Sequence, residues 1–255
     1  MRSFRGVLFP FDGSGLAEAA VRHAVRLAQG ARCPLILVQA VAADAERHQV
    51  RGALYALGQR VWRQGLGVET HVGVGAPPDV ITEAVREWDA GAVVMSTHGR
   101  GGLTGMLYGS VAQQVVRHAG VPVILVPAGC THQWPEPGDR RLRVLVALDG
   151  SEFAEHALHP ALALARALSG DVTLTRAVDP TAFYDWHGVP AIPARLAQAD
   201  PAEILEANAR QYLEAVAKSE AAADADARVV TGIGQPLKVL VRLAHEHGVD
   251  AIVAA

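Results

Sequence analysis

Met95-Ser96-Thr97-His98-Gly99-Arg100-Gly101-Gly102, running on through Gly109-Ser110 to Val121-Pro122-Val123-Ile124-Leu125-Val126-Pro127, is the stretch whose reading decides the fold. The apolar run Ala92 to Met95 reads as a buried strand. Ser110 to Ala119 has helical periodicity, with Val111, Val115 and His118 on one face, and Gly120 ends it. Strand, glycine-rich turn, helix and strand make a βαβ unit. Gly99, Gly101 and Gly102 allow positive φ and let a ligand approach bare backbone N–H groups. Gly109-Ser110 then opens a helix whose first-turn N–H groups have no internal partners and whose dipole favours an anion. The Ser110 hydroxyl either caps that helix or donates to a phosphate oxygen. From the glycines alone, a tight loop with a capped helix and a phosphate loop stand level.

Outward from this stretch the same alternation continues. Gly6 to Phe11 is a short apolar run, broken by Asp12-Gly13-Ser14-Gly15. Leu16, Ala19, Ala20, His23, Ala24 and Leu27 recur at helical spacing up to Gly30, with Ser14 as N-cap and Glu18 near the start. Cys33 to Val41 is the second strand, Ala45 to Gln64 a helix with Leu54, Leu57 and Val61 inside, and Val68 to Val74 the third strand. Pro77 and Pro78 start a helix that runs to Trp88; Ala92 to Met95 and Val121 to Val126 are the fourth and fifth strands. Strands that alternate with helices predict a parallel sheet with right-handed crossovers.

From Ala128 to Arg141 the pattern lapses into Gly129, Pro135, Pro137, Gly138 and charges, which reads as a linker. The opening then returns: Arg143 to Asp149-Gly150-Ser151 repeats Gly6 to Asp12-Gly13-Ser14. A helix from Ala154 to Leu168, Gly170, and a strand from Val172 to Val178 follow, and Gly234-Gln235-Pro236 matches Gly75-Ala76-Pro77. The extra length falls mostly in Asp179 to Pro201, which carries Tyr184 and Trp186. Two tandem α/β domains are expected, residues 1–128 and 142–255, joined by a linker at 129–141. Ala255 is the counterpart of Ser96, so the second copy as given lacks the glycine turn, the last helix and the fifth strand. Truncation of the sequence and degeneracy of the copy are both open readings.

Composition bounds the function classes. The 255 residues are half hydrophobic with a formal charge of −3, enough for two modest cores and too weakly charged for a nucleic-acid partner. Cys33 and Cys130 match no metal spacing and read as free thiols in a reducing compartment. With no signal region and no long apolar span, a cytoplasmic, membrane-free protein is expected.

Together these segments resemble the universal stress protein family in its tandem form. Its hallmark is Gly, two residues, Gly, nine residues, then Gly and Ser or Thr. Gly99, Arg100 to Tyr108 and Gly109-Ser110 fit the second half, while Ser96 stands where the first Gly belongs. Pro10-Phe11-Asp12-Gly13-Ser14, Ser96 to Leu103 and Val121 to Pro127 agree with the family in order and spacing. The resemblance implies two Rossmann-like domains of the adenine nucleotide α-hydrolase type, each with a parallel five-stranded sheet, the second incomplete at its C-terminus. It also implies ATP or another adenine nucleotide in the first domain, with Mg²⁺ accompanying the phosphates. Asp12 is then expected to hold the ribose or adenine edge beside the Pro10 and Phe11 backbone, Ala40 to offer backbone to adenine, and Met95 to flank the base. Ser96, His98, Gly99, Arg100, Gly109, Ser110 and Val111 are expected to cradle the phosphates. In family dimers the last strands pair, which implies a homodimer through Val121–Val126.

Bland readings compete at several positions. Asp12 also reads as a helix N-cap, Asp149 chiefly so, and Arg100 as a solvated loop charge. His98 has no activated nucleophile near it in sequence, so backbone binding outranks catalysis. The pairs His156/His159 and His245/His247 lack a third ligand and read as surface rather than metal sites. Trp62, Trp88 and Trp134 read as packing residues. The functional expectation is a nucleotide-dependent stress-response binding module. Its alternatives are a slow ATPase or adenylating enzyme of the related nucleotide α-hydrolase class, and a structural relative that binds no nucleotide.

Overall fold

A computed structural model describes residues 4–97, 109–179, 201–219, 222 and 225–255. His98, Gly99, Arg100 and the glycines of the loop lie outside the described residues, as do Tyr184 and Trp186. The chain divides into two compact units, Met1–Glu136 and Pro137–Ala255.

In the first unit the order is β1 (Val7–Pro10), α1 (Gly15–Ala31), β2 (Leu35–Val41), α2 (Arg47–Trp62), β3 (Val68–Val74), α3 (Pro77–Glu87), β4 (Ala92–Ser96), α4 (Ser110–His118) and β5 (Val123–Val126). The strands form one parallel sheet ordered β3-β2-β1-β4-β5. Its central strands are apolar along most of their length, Gln39 of β2 and Ser96 of β4 excepted, because helices cover both faces. Leu8, Ile36, Val38 and Val93 pack with Ile81, Val85, Ala112 and Val115 of α3 and α4. On the opposite face α1 and α2 bring Ala20, Ala24, Leu27, Leu54 and Leu57 onto the sheet. Ser14 caps α1 by accepting from Ala17 N at 3.2 Å. The buried face of α4 is Ala112 and Val115; His118 is exposed and its ring contacts the Gln114 carbonyl. Trp62 likewise faces solvent, at 63% exposure, and is not a core residue.

The second unit runs β6 (Arg143–Ala147), α5 (Glu152–Glu155), α6 (Leu158–Leu168), β7 (Asp171–Val178), α7 (Pro201–Ala217), β8 (Arg228–Ile233), α8 (Pro236–Glu246) and β9 (Ala251–Val253). Its parallel sheet, β8-β7-β6-β9, has four strands among the described residues. The helix expected from Ala154 to Leu168 is two helices. Pro160 has no N–H for an i−4 bond, so it sits in the first turn of a new helix, where none is needed.

Residues after β5 pack back onto the first unit. Trp134 is 6% exposed, and its ring meets that of His23 edge-on, with centroids 5.0 Å apart. Arg26 Nε donates to the Pro135 carbonyl at 3.0 Å and lies 4.0 Å from a Glu136 carboxylate oxygen. Burial of His23 lowers its pKa from the ordinary 6.5, the charges of His132 and Arg22 lower it further, and a hydrogen bond to the backbone of His132 opposes them. A base whose folded pKa is depressed holds the packed state fully above its unfolded value and loses that contribution as pH falls through the folded one. Acidification below about pH 6.5 is therefore expected to expose Trp134, seen as a red-shifted emission in a variant retaining only this tryptophan. His23→Leu is expected to remove the pH dependence.

Candidate functional site

All strands of the first unit are parallel, so their carboxyl ends share one edge of the sheet. The connections from β1 to β2 and from β3 to β4 lead to opposite sides of β1. This makes the β1–β4 boundary a topological switch point, where open α/β sheets bind ligands. The register widens the boundary. β1 pairs with β4 only at Val7↔Ala92 and Leu8↔Val93, whereas β1 continues to Pro10 and β4 to Ser96. Pro10 has no N–H with which to extend that ladder. In the second unit Ala147 stands in the matching place, and the β6–β9 ladder runs one pair further, to Val146↔Val253.

The expected site residues of the described part gather along this edge. Pro10 ends β1, and Phe11, 5% exposed, donates its N–H to the Val38 carbonyl at 2.7 Å. That bond is the last between β1 and β2. Val38 therefore turns its peptide groups toward β1, and Ala40, two residues on, turns its own the same way, beyond the end of β1. Asp12 Oδ1 accepts from Ser14 N at 2.9 Å, which folds the loop into α1 with Gly13 at φ 77°. Asp12 thus shapes the turn while Ser14 caps the helix.

Met95, 6% exposed, and Ser96 pair with Leu125 and Val126 at the end of β4. Thr97 follows them and accepts a 2.8 Å hydrogen bond at its carbonyl from Gly109 N. Gly109 is the N-cap of α4, with φ −66° and ψ 156°, and among the described residues no side chain caps the helix. Ser110 and Val111 open it, so the hydroxyl of Ser110 is not spent on capping. An uncapped first turn presents main-chain N–H donors and the positive end of the helix dipole. Sequence reasoning missed Thr97, although it lies inside the quoted stretch. It also missed Gln39, 6% exposed on β2, whose Oε1 has no hydrogen-bond partner among the described residues.

The second unit repeats the first loop. Asp149 Oδ1 accepts from Ser151 N at 2.8 Å, and Ser151 caps α5. What faces that loop differs. Register places Arg176 where the first unit has Gln39, and its guanidinium lies 2.8 Å from where a Cβ on Gly150 would stand. Hydrogen bonds from Ser151 hold the Asp149 carboxyl below its ordinary range, with a smaller contribution from Arg176. Arg176 also lies over the ring of Tyr212, 5.3 Å from its centroid. The Tyr212 hydroxyl donates to Glu155 at 3.0 Å, and burial, then Glu155, push its pKa up to about 12. Among the described residues no group of three metal-ligating side chains comes together, and no helix is long and apolar enough to cross a membrane.

The family model described as the universal stress protein family matches residues 3–127 and 141–255. The universal stress protein Rv2623 of Mycobacterium tuberculosis H37Rv is 30% identical over 203 residues, covering 72% of this chain and 64% of its own length. A functionally unknown protein, PA1789 of Pseudomonas aeruginosa PAO1, superposes over 98% of this chain and 81% of its own, with 18% identity and a TM-score of 0.66. A universal stress protein crystallised in complex with cAMP is 28% identical over 49% of this chain and 98% of its own, with a TM-score of 0.43.

Proposed function

The chain belongs to the universal stress protein family, and from that premise we propose that its first domain, residues 1–128, binds an adenine nucleotide, ATP in the first instance, as a regulatory ligand. The observation that carries the reading is the opening between β1 and β4 beside an uncapped helix start. A base fits against the outward-turned peptide of Ala40 and the side chain of Met95, with Asp12 at the ribose. Phosphates fit against the N–H groups of Ser110 and Val111, with Ser96 at the end of β4 and His98, Gly99 and Arg100 completing the cradle. Mg²⁺ would screen the phosphates; what the chain supplies is main-chain donors that need no reorganisation.

Residues 142–255 form the second domain of this reading, and residues 129–141 the connection. There the guanidinium of Arg176 is packed against Gly150 of the loop after β6 and takes up space beside that loop, which supports a single nucleotide per chain. Hydrolysis, if any, is slow on this account, because no paired carboxylates with a positioned nucleophile meet at the site among the described residues. The protein works in the cytoplasm, as a binding module. Denaturing the freshly purified full chain and chromatographing the supernatant tests the reading: an adenine nucleotide is expected. A nucleotide-free supernatant, together with no thermal shift on adding ATP, favours the non-binding alternative. Phosphate release at a catalytic rate favours the enzymatic one.

The edge strand β5 supports a further element of the proposal. Val123, Ile124 and Leu125 are only partly buried, and a bare apolar edge invites pairing. A two-fold homodimer through Val121–Val126 is expected, with Pro122 tolerated at the start of an edge. Light scattering at micromolar concentration should give twice the chain mass, and Ile124→Lys should halve it. A monomeric wild-type mass contradicts the pairing.

A further inference from the structure

We propose that Thr97 is the positioning residue of the phosphate end of this site, an inference that rests on the nucleotide reading above. Thr97 is 6% exposed and uses its main chain and side chain in three directions. Its N–H donates to the Val126 carbonyl at 2.9 Å and so prolongs the β4–β5 ladder by one step. Its carbonyl accepts from Gly109 N at 2.8 Å and so places the first turn of α4. Its Oγ1 accepts from Ala128 N at 3.1 Å and so ties the end of β4 to the chain that leaves β5.

The physical consequence follows from what else holds Gly109. Among the described residues no side chain caps α4, and the start of that helix is tied to the end of β4 by the Thr97–Gly109 bond. The orientation of the Thr97 carbonyl depends on the peptide plane, and the hydroxyl bond to Ala128 holds the residue against rotation. A β-branched side chain is stiff at χ1, so one hydrogen bond suffices to fix it. Thr97 thereby aligns the donors of Ser110 and Val111 with the carboxyl end of β4. It touches no nucleotide itself. Its effect is confined to ligands that carry phosphate, since the base and ribose meet Asp12, Ala40 and Met95 rather than the first turn of α4.

Two changes remove the same bond from opposite ends. Thr97→Val keeps shape and branching but deletes the acceptor. Ala128→Pro deletes the donor without touching Thr97. Pro127 to Cys130 form a turn closed by Cys130 N to Pro127 O at 3.0 Å, with Gly129 at φ 75°, so Ala128 holds the position that proline favours.

Titration calorimetry on the full chain, with ATP and with adenosine, is the test. Both variants are expected to bind ATP about tenfold more weakly, the size of one weakened hydrogen bond to a charged group, with adenosine unchanged. Thr97→Ser is expected to restore ATP affinity. Equal loss for ATP and adenosine, no loss in a folded Ala128→Pro chain, or failure of Thr97→Ser to rescue overturns the role of Thr97. Wild-type chain that binds neither ligand overturns the nucleotide reading, and the role of Thr97 falls with it; that outcome is distinguished because it appears without any substitution.

Discussion

Ser110→Asp is expected to weaken ATP binding by roughly ten- to a hundredfold while leaving the first unit at least as stable as before. The two effects have opposite signs because one feature of the structure drives both. Ser110 is exposed at the first position of α4, a helix without a side-chain cap. A carboxylate there meets the positive end of the helix dipole and stabilises by about 0.3–1 kcal/mol. It also occupies, with its own negative charge, the place where phosphate is expected. Thermal unfolding checks the first effect and calorimetric titration the second. A variant that binds ATP as well as the wild type would remove α4 from the phosphate site. A variant that loses both stability and binding would instead mark Ser110 as a structural residue.

The second large effect is on stability. A Cβ added to Gly73 on β3 would overlap Val80 Cγ1 of α3, and one added to Gly232 on β8 would overlap Val239 Cγ1 of α8 in the same way. Both valines are buried, at 4% and 3% exposure. Each unit therefore brings its helix against the bare backbone of a strand glycine, and an alanine there must push the helix outward. Gly73→Ala is expected to cost the first unit about 1–3 kcal/mol, the usual range for overpacking. Val80→Ala alone leaves a cavity and is also destabilising. Their combination is expected to be milder than the sum, because the new methyl fills part of the space that the valine vacates. Urea unfolding of the single and double variants checks this. Simple additivity would mean that the contact is not what makes glycine necessary.

Much of this architecture is legible in the chain itself. Apolar runs bounded by glycine, the Asp-Gly-Ser turn in both halves and the Gly-x-Pro openings of α3 and α8 each follow from local rules. Those rules act over a few residues, which is why the strand and helix boundaries fall close to the expected ones. Apart from the helix break before Pro160, which is local, the failures are tertiary. His118 shares a helical face with Val111 and Val115 by spacing, but the face that α4 buries runs through Ala112, Val115 and Ala119, which leaves His118 exposed. Trp62 is hydrophobic by type and stands clear of the core at the end of α2. Trp134 does pack, as its type suggests, although its segment has the composition of a linker; a histidine on α1 receives it.

The site divides in the same manner. Gly109-Ser110 and the Asp12 loop announce themselves by residue type, since a glycine or a capping side chain has few local uses. Pro10 does not announce that it ends a ladder, because only the register of β1 against β4 makes its missing N–H matter. Thr97 is still less visible. Gly109, Val126 and Ala128 are brought to it by the fold, and nothing in the order of residues links them. Arg176 in the second unit is the converse case: a charged residue within a strand, whose facing loop appears only when the sheet is assembled.

Titration of the nucleotide-stripped full chain with ATP in the presence of Mg²⁺ bears most directly on the central claim, that one domain of two holds an adenine nucleotide by main-chain donors. Saturation at one ATP per chain, with adenosine binding more weakly, is the predicted result. No binding at millimolar ATP, or ATP and adenosine binding equally, would contradict it.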